Sequence, residues 1–208
     1  MIPVVMQPEP DNFDIDVRQP GKSILSTNPT ISDSFWKRHS YWGRISKDLY
    51  NLYRGICAYT GEWFPRTTTR ASLDHFIPKS IAPSLAYEWS NYRLTTQKVN
   101  ENKKGHTIIA DPFEVRSGWF VLSLPGCYIV PGENLSSDEH FLVEQTINIL
   151  KLNNDDSAQS RCDIILDYIN GYVNLDFLQS KYPYIAHELT RQNMLDDVKA
   201  MFKPLTHN

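Results

Sequence analysis

Apolar side chains recur at helical spacing over residues 35–53, which predicts one amphipathic helix in this segment. Ser32 or Asp33 is expected to cap its N-terminus, and Gly55 follows its end. The preceding residues 1–33 contain five prolines and show little periodicity. They are predicted to form an extended N-terminal arm or loop.

Short apolar runs replace the helical pattern in the middle of the chain. Residues 56–59 and 73–77 are separated by turn-forming and polar residues, which predicts a β-hairpin. A polar segment that ends at Gly105 predicts a helix over residues 95–104, with Gly105 as its C-cap. The middle of the chain is therefore predicted to fold as strand, strand and helix.

The second half of the chain changes from strand-like to helical spacing. Residues 119–122 and 127–130 are predicted to form a second hairpin around Pro125. From Ser137 onward the apolar spacing predicts three helices, over about residues 141–152, 164–169 and 189–202. The fold class predicted from all these elements is α+β.

Length and composition set limits on this fold. With 208 residues, of which 41% are hydrophobic, the chain can bury a core. We divide it into an N-terminal arm (1–33), a central domain (34–130) and a helical C-terminal region (131–208). No run of eighteen apolar residues is present and residues 1–6 are too short for a signal peptide. A soluble cytoplasmic protein without a membrane partner is therefore predicted.

The three cysteines, Cys57, Cys127 and Cys162, are far apart in the sequence and odd in number. They form no CxxC pair that could hold a metal ion, and a disulfide framework is not expected from their spacing. All three are predicted to be buried thiols.

Charge is distributed unevenly along a chain whose net charge is only −3. Residues 34–106 contain 12 Lys and Arg against 5 Asp and Glu, a surplus of +7, which leaves −10 for the rest of the chain. This polarity favours a basic face for a polyanion beside an acidic part with another role. A solvated charged surface, with the cations scattered by the fold, is an alternative that the sequence leaves open.

One carboxylate, one imidazole and two carboxamides stand close together in the middle of the chain. Asp74 and His75 are adjacent, and Asn91 and Asn100 follow within the next 25 residues. Such a set suits a site that holds one hard cation and deprotonates one water molecule. His75 is expected to be neutral near pH 7 and to act as the base. Neighbouring side chains on a strand point to opposite faces, so a bulge or a strand end must bring Asp74 and His75 together.

Residues 57–105 resemble the motif of the HNH endonucleases, which have a ββα-metal core, over about a quarter of the chain. The resemblance implies an α+β fold in which helices flank that core. It also implies that Asp74 and Asn100 are ligands of a divalent metal ion, Mg²⁺ or Mn²⁺. His75 is then the general base, and Asn91 holds the hairpin loop and so orients the base. Contacts to nucleic-acid phosphates are expected from four basic residues: Lys79, Arg93, Lys103 and Lys104.

Many HNH proteins brace their small core with a zinc ion bound to two CxxC pairs. At those positions this chain has Cys57 and Thr60, and then Thr96 and Val99. One thiolate out of four cannot hold a structural Zn²⁺, so no structural zinc is expected. Packing of the surrounding segments must then brace the core, and the catalytic positions are unaffected by the loss.

Within this superfamily, four stretches look like the HNH subunit of Septu and related retron anti-phage systems: residues 57–59, 75–80, 87–94 and 111–113. That resemblance implies a nuclease that operates in anti-phage defence with a separate ATPase of the ABC/SMC-like type. The expected function is metal-dependent hydrolysis of phosphodiester bonds in nucleic acid, with DNA favoured over RNA. The alternative is a catalytically silent HNH-fold module for nucleic-acid binding or assembly. Such a module has no reason to retain Asp74, His75 and Asn100 together.

Overall fold

The protein has an α+β fold, with two small antiparallel sheets and a larger number of helices. A computed structural model describes residues 1–28 and 31–202. The contacts divide the chain into two units. The central unit comprises Val5–Cys57 and Phe64–Thr107, and the C-terminal unit comprises Met1–Val4, Ala58–Trp63 and Ile108–Asn208. These units do not follow the boundaries predicted after residues 33 and 130, because the second hairpin groups with the C-terminal helices.

Residues 1–10 form no helix or strand, but the rest of the described N-terminal arm is largely helical, which corrects the prediction there. A π-helical turn at Asp14–Arg18 leads directly into helix α1 (Gln19–Thr27). Pro20 lies in the first turn of α1, where a missing N–H costs nothing and the fixed φ favours the helix. Phe13 and Val17 are fully buried, so the segment is part of the core. Pro29, another of the five prolines, lies outside the described residues.

The single helix predicted over residues 35–53 is broken into three pieces, which corrects the prediction. Helix α2 (Asp33–Arg38) is followed by a 3₁₀ turn at Tyr41–Ile45 and by helix α3 (Ser46–Leu52). The predicted cap is confirmed, because the Ser32 hydroxyl accepts a hydrogen bond from the Phe35 N–H at 3.3 Å.

The break in this helix has a physical cause in its aromatic residues. A continuous helix would spread them around its surface, whereas the break lets them gather around one ring. Trp36, Tyr41 and Trp42 all contact Tyr87, with ring centroids 6.2, 5.8 and 5.6 Å away. Packing of the aromatic cluster therefore outweighs helix propensity in this segment.

The central sheet pairs strand β1 (Ala71–His75) with strand β2 (Tyr92–Thr96) in antiparallel register. Helix α4 (Gln97–Lys103) follows β2 directly and packs against both strands. The helix predicted over 95–104 is thus confirmed to within two residues. The first predicted strand, 56–59, is wrong: residues 58–60 form a turn, and the partner of β1 is the segment after Asn91.

The second hairpin and the first two C-terminal helices are confirmed. Strands β3 (Phe120–Ser123) and β4 (Tyr128–Pro131) pair antiparallel, one residue later than predicted. The helices of the C-terminal unit are α5 (Ser137–Leu150), α6 (Asp155–Ile169), α7 (Leu175–Lys181), α8 (Pro183–Arg191) and α9 (Val198–Phe202). The helix predicted over 189–202 is wrong, because Asn193 adopts a positive φ of 55° between α8 and α9. None of the described helices is both long enough and apolar enough to cross a membrane.

Two of the three cysteines are bonded to each other, which corrects the prediction of three thiols. Cys127, at the start of β4, forms a disulfide with Cys162 on α6, with the Cα atoms 5.6 Å apart. Their separation of 35 residues carries no local signal of the pairing. Cys57 is confirmed as a buried free thiol.

Candidate active site

A cleft of about 300 Å³ in the central unit collects most of the residues singled out from the sequence. Five of them line it: Asp74, His75, Lys79, Asn100 and Lys104. They come from the end of β1, from the loop after it, and from α4 and its C-terminus. The order strand, strand and helix thus places a carboxylate, an imidazole, a carboxamide and two ammonium groups around one space.

The end of β1 solves the geometric problem posed by adjacent Asp74 and His75. In a regular strand their side chains would point to opposite faces. The strand ends at His75, and the chain then turns toward Pro78. Both side chains are buried, with residue exposures of 2% and 8%, and both line the cleft.

His75 is held as a neutral imidazole with a defined tautomer. Its Nε2 lies 2.9 Å from the backbone oxygen of Ala86. A carbonyl oxygen can only accept, so Nε2 carries the hydrogen and Nδ1 keeps the basic lone pair. Burial lowers the pKa of His75 to about 3, and the charges of Lys79 and Lys103 act in the same direction. The ring is also fixed by the edge contact with Trp42, at 4.7 Å between centroids.

Asn91 fastens the loop that joins β1 to the next element. Its Oδ1 accepts from the Ile77 N–H at 2.8 Å, and its Nδ2 donates to the Ile77 and Leu85 oxygens at 3.0 and 3.2 Å. The same loop contains Ala86, whose carbonyl oxygen holds His75. Asn91 therefore does not contact the imidazole. It holds Leu85, whose neighbour Ala86 accepts from His75, and so fixes the imidazole indirectly.

Lys103 is buried inside the site, which corrects its predicted role as a phosphate contact. Its side chain is fully buried, and its Nζ lies 3.1 Å from Asp74 Oδ1. The same ammonium donates to the His75 and Phe76 backbone oxygens, each at 3.0 Å. Because α4 packs against β1, the residue three positions after Asn100 faces the hairpin and not the solvent.

Arg93 is also inside the protein, so its predicted phosphate contact is corrected as well. The residue is 3% exposed and lies opposite Asp74 in the register of β1 and β2. Its Nη1 donates to the backbone oxygens of Ser90 and Tyr92 at 2.7 and 3.0 Å. Its guanidinium also lies over the Phe76 ring, 5.1 Å from the centroid. Arg93 thus braces the hairpin.

The remaining predicted residues face the cleft. Asn100 donates from Nδ2 to the Ser72 hydroxyl at 2.7 Å, which leaves its Oδ1 for another partner. Lys104 is exposed and adopts a positive φ of 48° at the end of α4. The Lys79 ammonium lies over the Trp42 ring, 5.7 Å from its centroid. Burial lowers the pKa of Lys79, although Asp33 opposes this shift.

Several residues of this site were missed from the sequence, among them a carboxylate, an indole and a hydroxyl. Asp33 lines the cleft, although the sequence suggested it only as a helix cap. Trp42 lines the cleft too, and it was assigned to the apolar face of a continuous helix. Ser72 orients Asn100, and no motif marks it. The aromatic richness around residues 35–53 was the available signal for Trp42, but it did not indicate which ring faces the site.

The donor set of the cleft fits a hard divalent cation. A carboxylate and a carboxamide oxygen are ligands that Mg²⁺ accepts, and this ion keeps several waters when proteins supply few ligands. Among the residues that the structure describes, no group of three or more His, Cys, Asp or Glu residues could hold a metal ion. If the cleft holds such an ion, Asp74 and Asn100 would be its two protein ligands. The Lys103 ammonium would share Asp74 with the ion.

Cys57 and Thr96, which were compared above with zinc-binding positions, have other contacts in this structure. Cys57 Sγ lies 3.4 Å from the Thr95 hydroxyl. Thr96 is the N-cap of α4, and its hydroxyl accepts from the Val99 N–H at 3.4 Å. The expectation that the chain holds no structural zinc remains a prediction.

No protein-family model matches the sequence, and no curated protein matches it. Function must therefore be inferred from the residues of the cleft. These residues combine a neutral imidazole, a carboxylate, a carboxamide and two ammonium groups. The resemblance noted in the sequence stays an expectation that experiments must test.

Proposed function

We propose that this protein is a metal-dependent HNH endonuclease that hydrolyses phosphodiester bonds in nucleic acid, with DNA favoured over RNA. In this proposal β1, β2 and α4 form a ββα-metal core. One observation carries the proposal. His75, at the edge of a cleft that also contains Asp74 and Asn100, donates from Nε2 to the Ala86 oxygen, so Nδ1 keeps an unprotonated lone pair that can accept a proton.

Each residue of the cleft has a part in this chemistry. His75 Nδ1 accepts a proton from the attacking water, because its lone pair is neither protonated nor used by the Ala86 contact. Lys79 and Lys104 bind the phosphate oxygens and stabilise the added negative charge. Asn91 keeps the loop, and with it the imidazole, in place. Asp74 and Asn100 would hold a divalent ion, which would supply charge neutralisation during the reaction.

One observation favours the alternative, a catalytically silent binding or assembly module. The Asp74 carboxylate already has a buried ammonium 3.1 Å away, and this ammonium opposes a second cation at the same oxygen. In a silent module the Asp74–Lys103 pair would be purely structural. The two functions differ in whether the chain cleaves nucleic acid in the presence of a divalent metal ion.

The decisive experiment incubates the purified chain with supercoiled plasmid and Mg²⁺ or Mn²⁺, with and without EDTA. Cleavage is expected only with the metal. His75→Ala is expected to reduce the single-turnover rate by about 10² to 10⁴, the usual effect of losing a general base, and to leave binding in EDTA unchanged. His140→Ala is the matched control, since this exposed histidine is on α5. Cleavage by His75→Ala at the wild-type rate would refute the proposal.

The biological setting of this activity is proposed from the resemblance to the Septu and retron HNH subunits. There the nuclease is the effector of an anti-phage complex and operates with an ATPase of the ABC/SMC-like type. The uneven charge supports two separate tasks, because residues 34–106 carry +7 and the rest of the chain −10. The partner is tested separately from the chemistry.

A further inference from the structure

A second pocket, of about 440 Å³, lies next to the catalytic cleft. The two spaces share four lining residues: Asp33, Trp36, Trp42 and Lys79. Lys37 and Ser40 complete the wall of the second pocket. A group bound in this pocket would therefore be adjacent to whatever is bound in the cleft.

The walls of this pocket combine aromatic surface with groups that bind polar edges and phosphates. Trp42 is half-buried, and Trp36 contributes the edge of an indole that is otherwise in the core. Asp33 offers acceptors only, and Ser40 offers a hydroxyl that can donate or accept. Lys37 is exposed, so a cation stands at the entrance. Flat aromatic surface beside cations is the pattern on which nucleobases stack while their phosphates are bound.

Lys79 connects the pocket to the cleft. Its ammonium rests over the Trp42 ring, 5.7 Å from the centroid, and it lines both spaces. The side chain is half-buried, so its charge is incompletely hydrated and gains from an anionic partner. A base could stack on this face of the Trp42 indole only after the ammonium moved toward a phosphate in the cleft.

We propose that this pocket binds one nucleobase, unstacked from its neighbours, of the strand whose phosphate lies in the cleft. The inference rests on the proposed nuclease function and specifies its substrate. The preferred substrate is single-stranded or locally opened nucleic acid, because a base in an intact duplex cannot leave its stack without cost. Trp42 stacks on the base, Lys37 and Lys79 bind the flanking phosphates, and Asp33 accepts from the edge of the base.

Binding measurements in EDTA test the pocket without cleavage. In a His75→Ala background, a labelled single strand and its duplex are titrated against three further variants. Trp42→Ala removes the stacking ring. Ser40→Trp places a bulky side chain in the pocket from an exposed position and leaves Trp42 itself unchanged. Both are expected to weaken single-strand binding about 10-fold, since stacking on one aromatic residue is worth about one order of magnitude in affinity. Trp119→Ala, a half-buried tryptophan of the C-terminal unit, is the matched control and should bind like the parent.

A base analogue reports stacking directly. 2-Aminopurine in the single strand changes its fluorescence when it leaves its neighbours and stacks on an indole, and Trp42→Ala should abolish that change. The inference is overturned if the parent binds duplex as tightly as the single strand, or if Trp42→Ala and Ser40→Trp both bind like the parent. Ser40→Trp decides the question if Trp42→Ala does not fold.

The outcomes separate this inference from the proposed function. If the chain with intact His75 cleaves plasmid but the pocket variants bind normally, the pocket assignment fails and the nuclease stands. If the pocket variants lose single-strand binding and the intact chain never cleaves, the pocket stands and the nuclease fails. Absence of any binding to single strand or duplex refutes the pocket, and plasmid cleavage then decides the nuclease alone.

Discussion

The Asp74 carboxylate pairs with the Lys103 ammonium and is also the proposed metal ligand, and this double role sets the behaviour of the whole site. The Lys103 ammonium is fixed 3.1 Å from Oδ1 by two further backbone acceptors. A divalent ion at Asp74 would therefore be bound by a carboxylate whose charge is already partly neutralised. Such a site should bind metal weakly in the free protein and more tightly when a phosphate adds its own oxygens.

The ligand assignment predicts opposite effects for two changes at Asn100. Asn100→Ala removes one of two protein oxygens and should weaken Mn²⁺ binding by at least about 10-fold, while Asn100→Asp adds charge and should strengthen it. Asp74→Ala should weaken it most. Calorimetric Mn²⁺ titration in the presence of a non-cleavable oligonucleotide measures these affinities, and the metal midpoint of cleavage should shift in parallel. Gln97→Ala, an exposed carboxamide on the same helix, is the control. Equal midpoints for all variants would exclude the ligand roles.

Lys103 and Lys104 are adjacent, but substituting them should have different effects, because Lys103 is buried and Lys104 is exposed. Lys103→Ala leaves the buried Asp74 carboxylate without its ammonium and should lower the free energy of unfolding by about 3–5 kcal/mol. Lys104→Gln should change stability by less than about 0.5 kcal/mol, because Lys104 is exposed. It should instead weaken nucleic-acid binding and reduce the salt slope on duplex DNA by about 0.9. Urea unfolding measures the stability of both variants, and nucleic-acid binding at several salt concentrations measures the salt slope. If Lys103→Ala is as stable as wild type, the Lys103–Asp74 ion pair contributes little to stability.

At the scale of elements, the segments that were predicted correctly have strong local signals. The second hairpin has a turn between two apolar runs, and α4 begins at the capping residue Thr96. Strand β2 was missed because residues 92–95 are all buried, so no alternation of polar and apolar residues marks it. Helix α1 was missed because Pro20 was counted as a helix breaker, although at a helix start it is favourable.

In the site, too, the features with a local sequence signal could be predicted, and the features that depend on tertiary packing could not. The positions of Asp74, His75 and Asn100 around one cleft could be expected from their spacing and the resemblance. The burial of Lys103 and Arg93 could not, because a basic residue near a helix end or on a strand is usually solvated. Only the packing of α4 and the loop after β1 reveals that these cations serve the interior.

Glu188 joins α8 to β3 within the C-terminal unit, and its ionisation should appear in the acid stability. Burial alone would raise the pKa of Glu188, but hydrogen bonds from Arg191, the Leu122 N–H and Gln192 outweigh it and lower the pKa. A folded-state pKa below the unfolded value of about 4.3 means that this stabilisation is present above that pH and is lost as pH falls through the folded pKa.

This linkage predicts how a Glu188→Gln variant behaves. It should be less stable than wild type at pH 7, because the ionic hydrogen bonds to Arg191 are lost. The difference in free energy of unfolding should narrow as the pH falls below about 4, because wild type then also loses its carboxylate. Denaturant unfolding between pH 7 and below about pH 4 measures the difference in free energy of unfolding between wild type and variant. Glu133→Gln, an exposed control, should show no such narrowing, and a gap for Glu188→Gln that is independent of pH would contradict the argument.

At the scale of the whole molecule, burial decides which of the basic residues counted in the sequence lie on the surface. Of the 12 basic residues in 34–106, Arg93 and Lys103 are in the interior, Lys79 is half-buried, and nine are exposed. The surface of the central unit is therefore still rich in cations, as the nucleic-acid proposal requires. The N-terminal segment contributes to the core, since Phe13 and Val17 are fully buried. Its deletion would damage the central unit and could not test a partner.

Surface charge reversal on the acidic part is the better test of the proposed ATPase partner. Asp156 and Asp163 are exposed on α6, so Asp156→Lys with Asp163→Lys changes the surface without removing a core contact. We expect the wild-type chain, tagged and recovered from its native host, to carry an ATPase that mass spectrometry identifies and ATP hydrolysis confirms. The reversed variant should lose it while plasmid cleavage by the isolated chain is unchanged. Reversal of the same size on the central unit, Lys98→Glu with Arg54→Glu, should instead weaken nucleic-acid binding and keep the partner. Recovery of the free chain alone, fully active without any other protein, would refute the partner and leave the nuclease assignment intact.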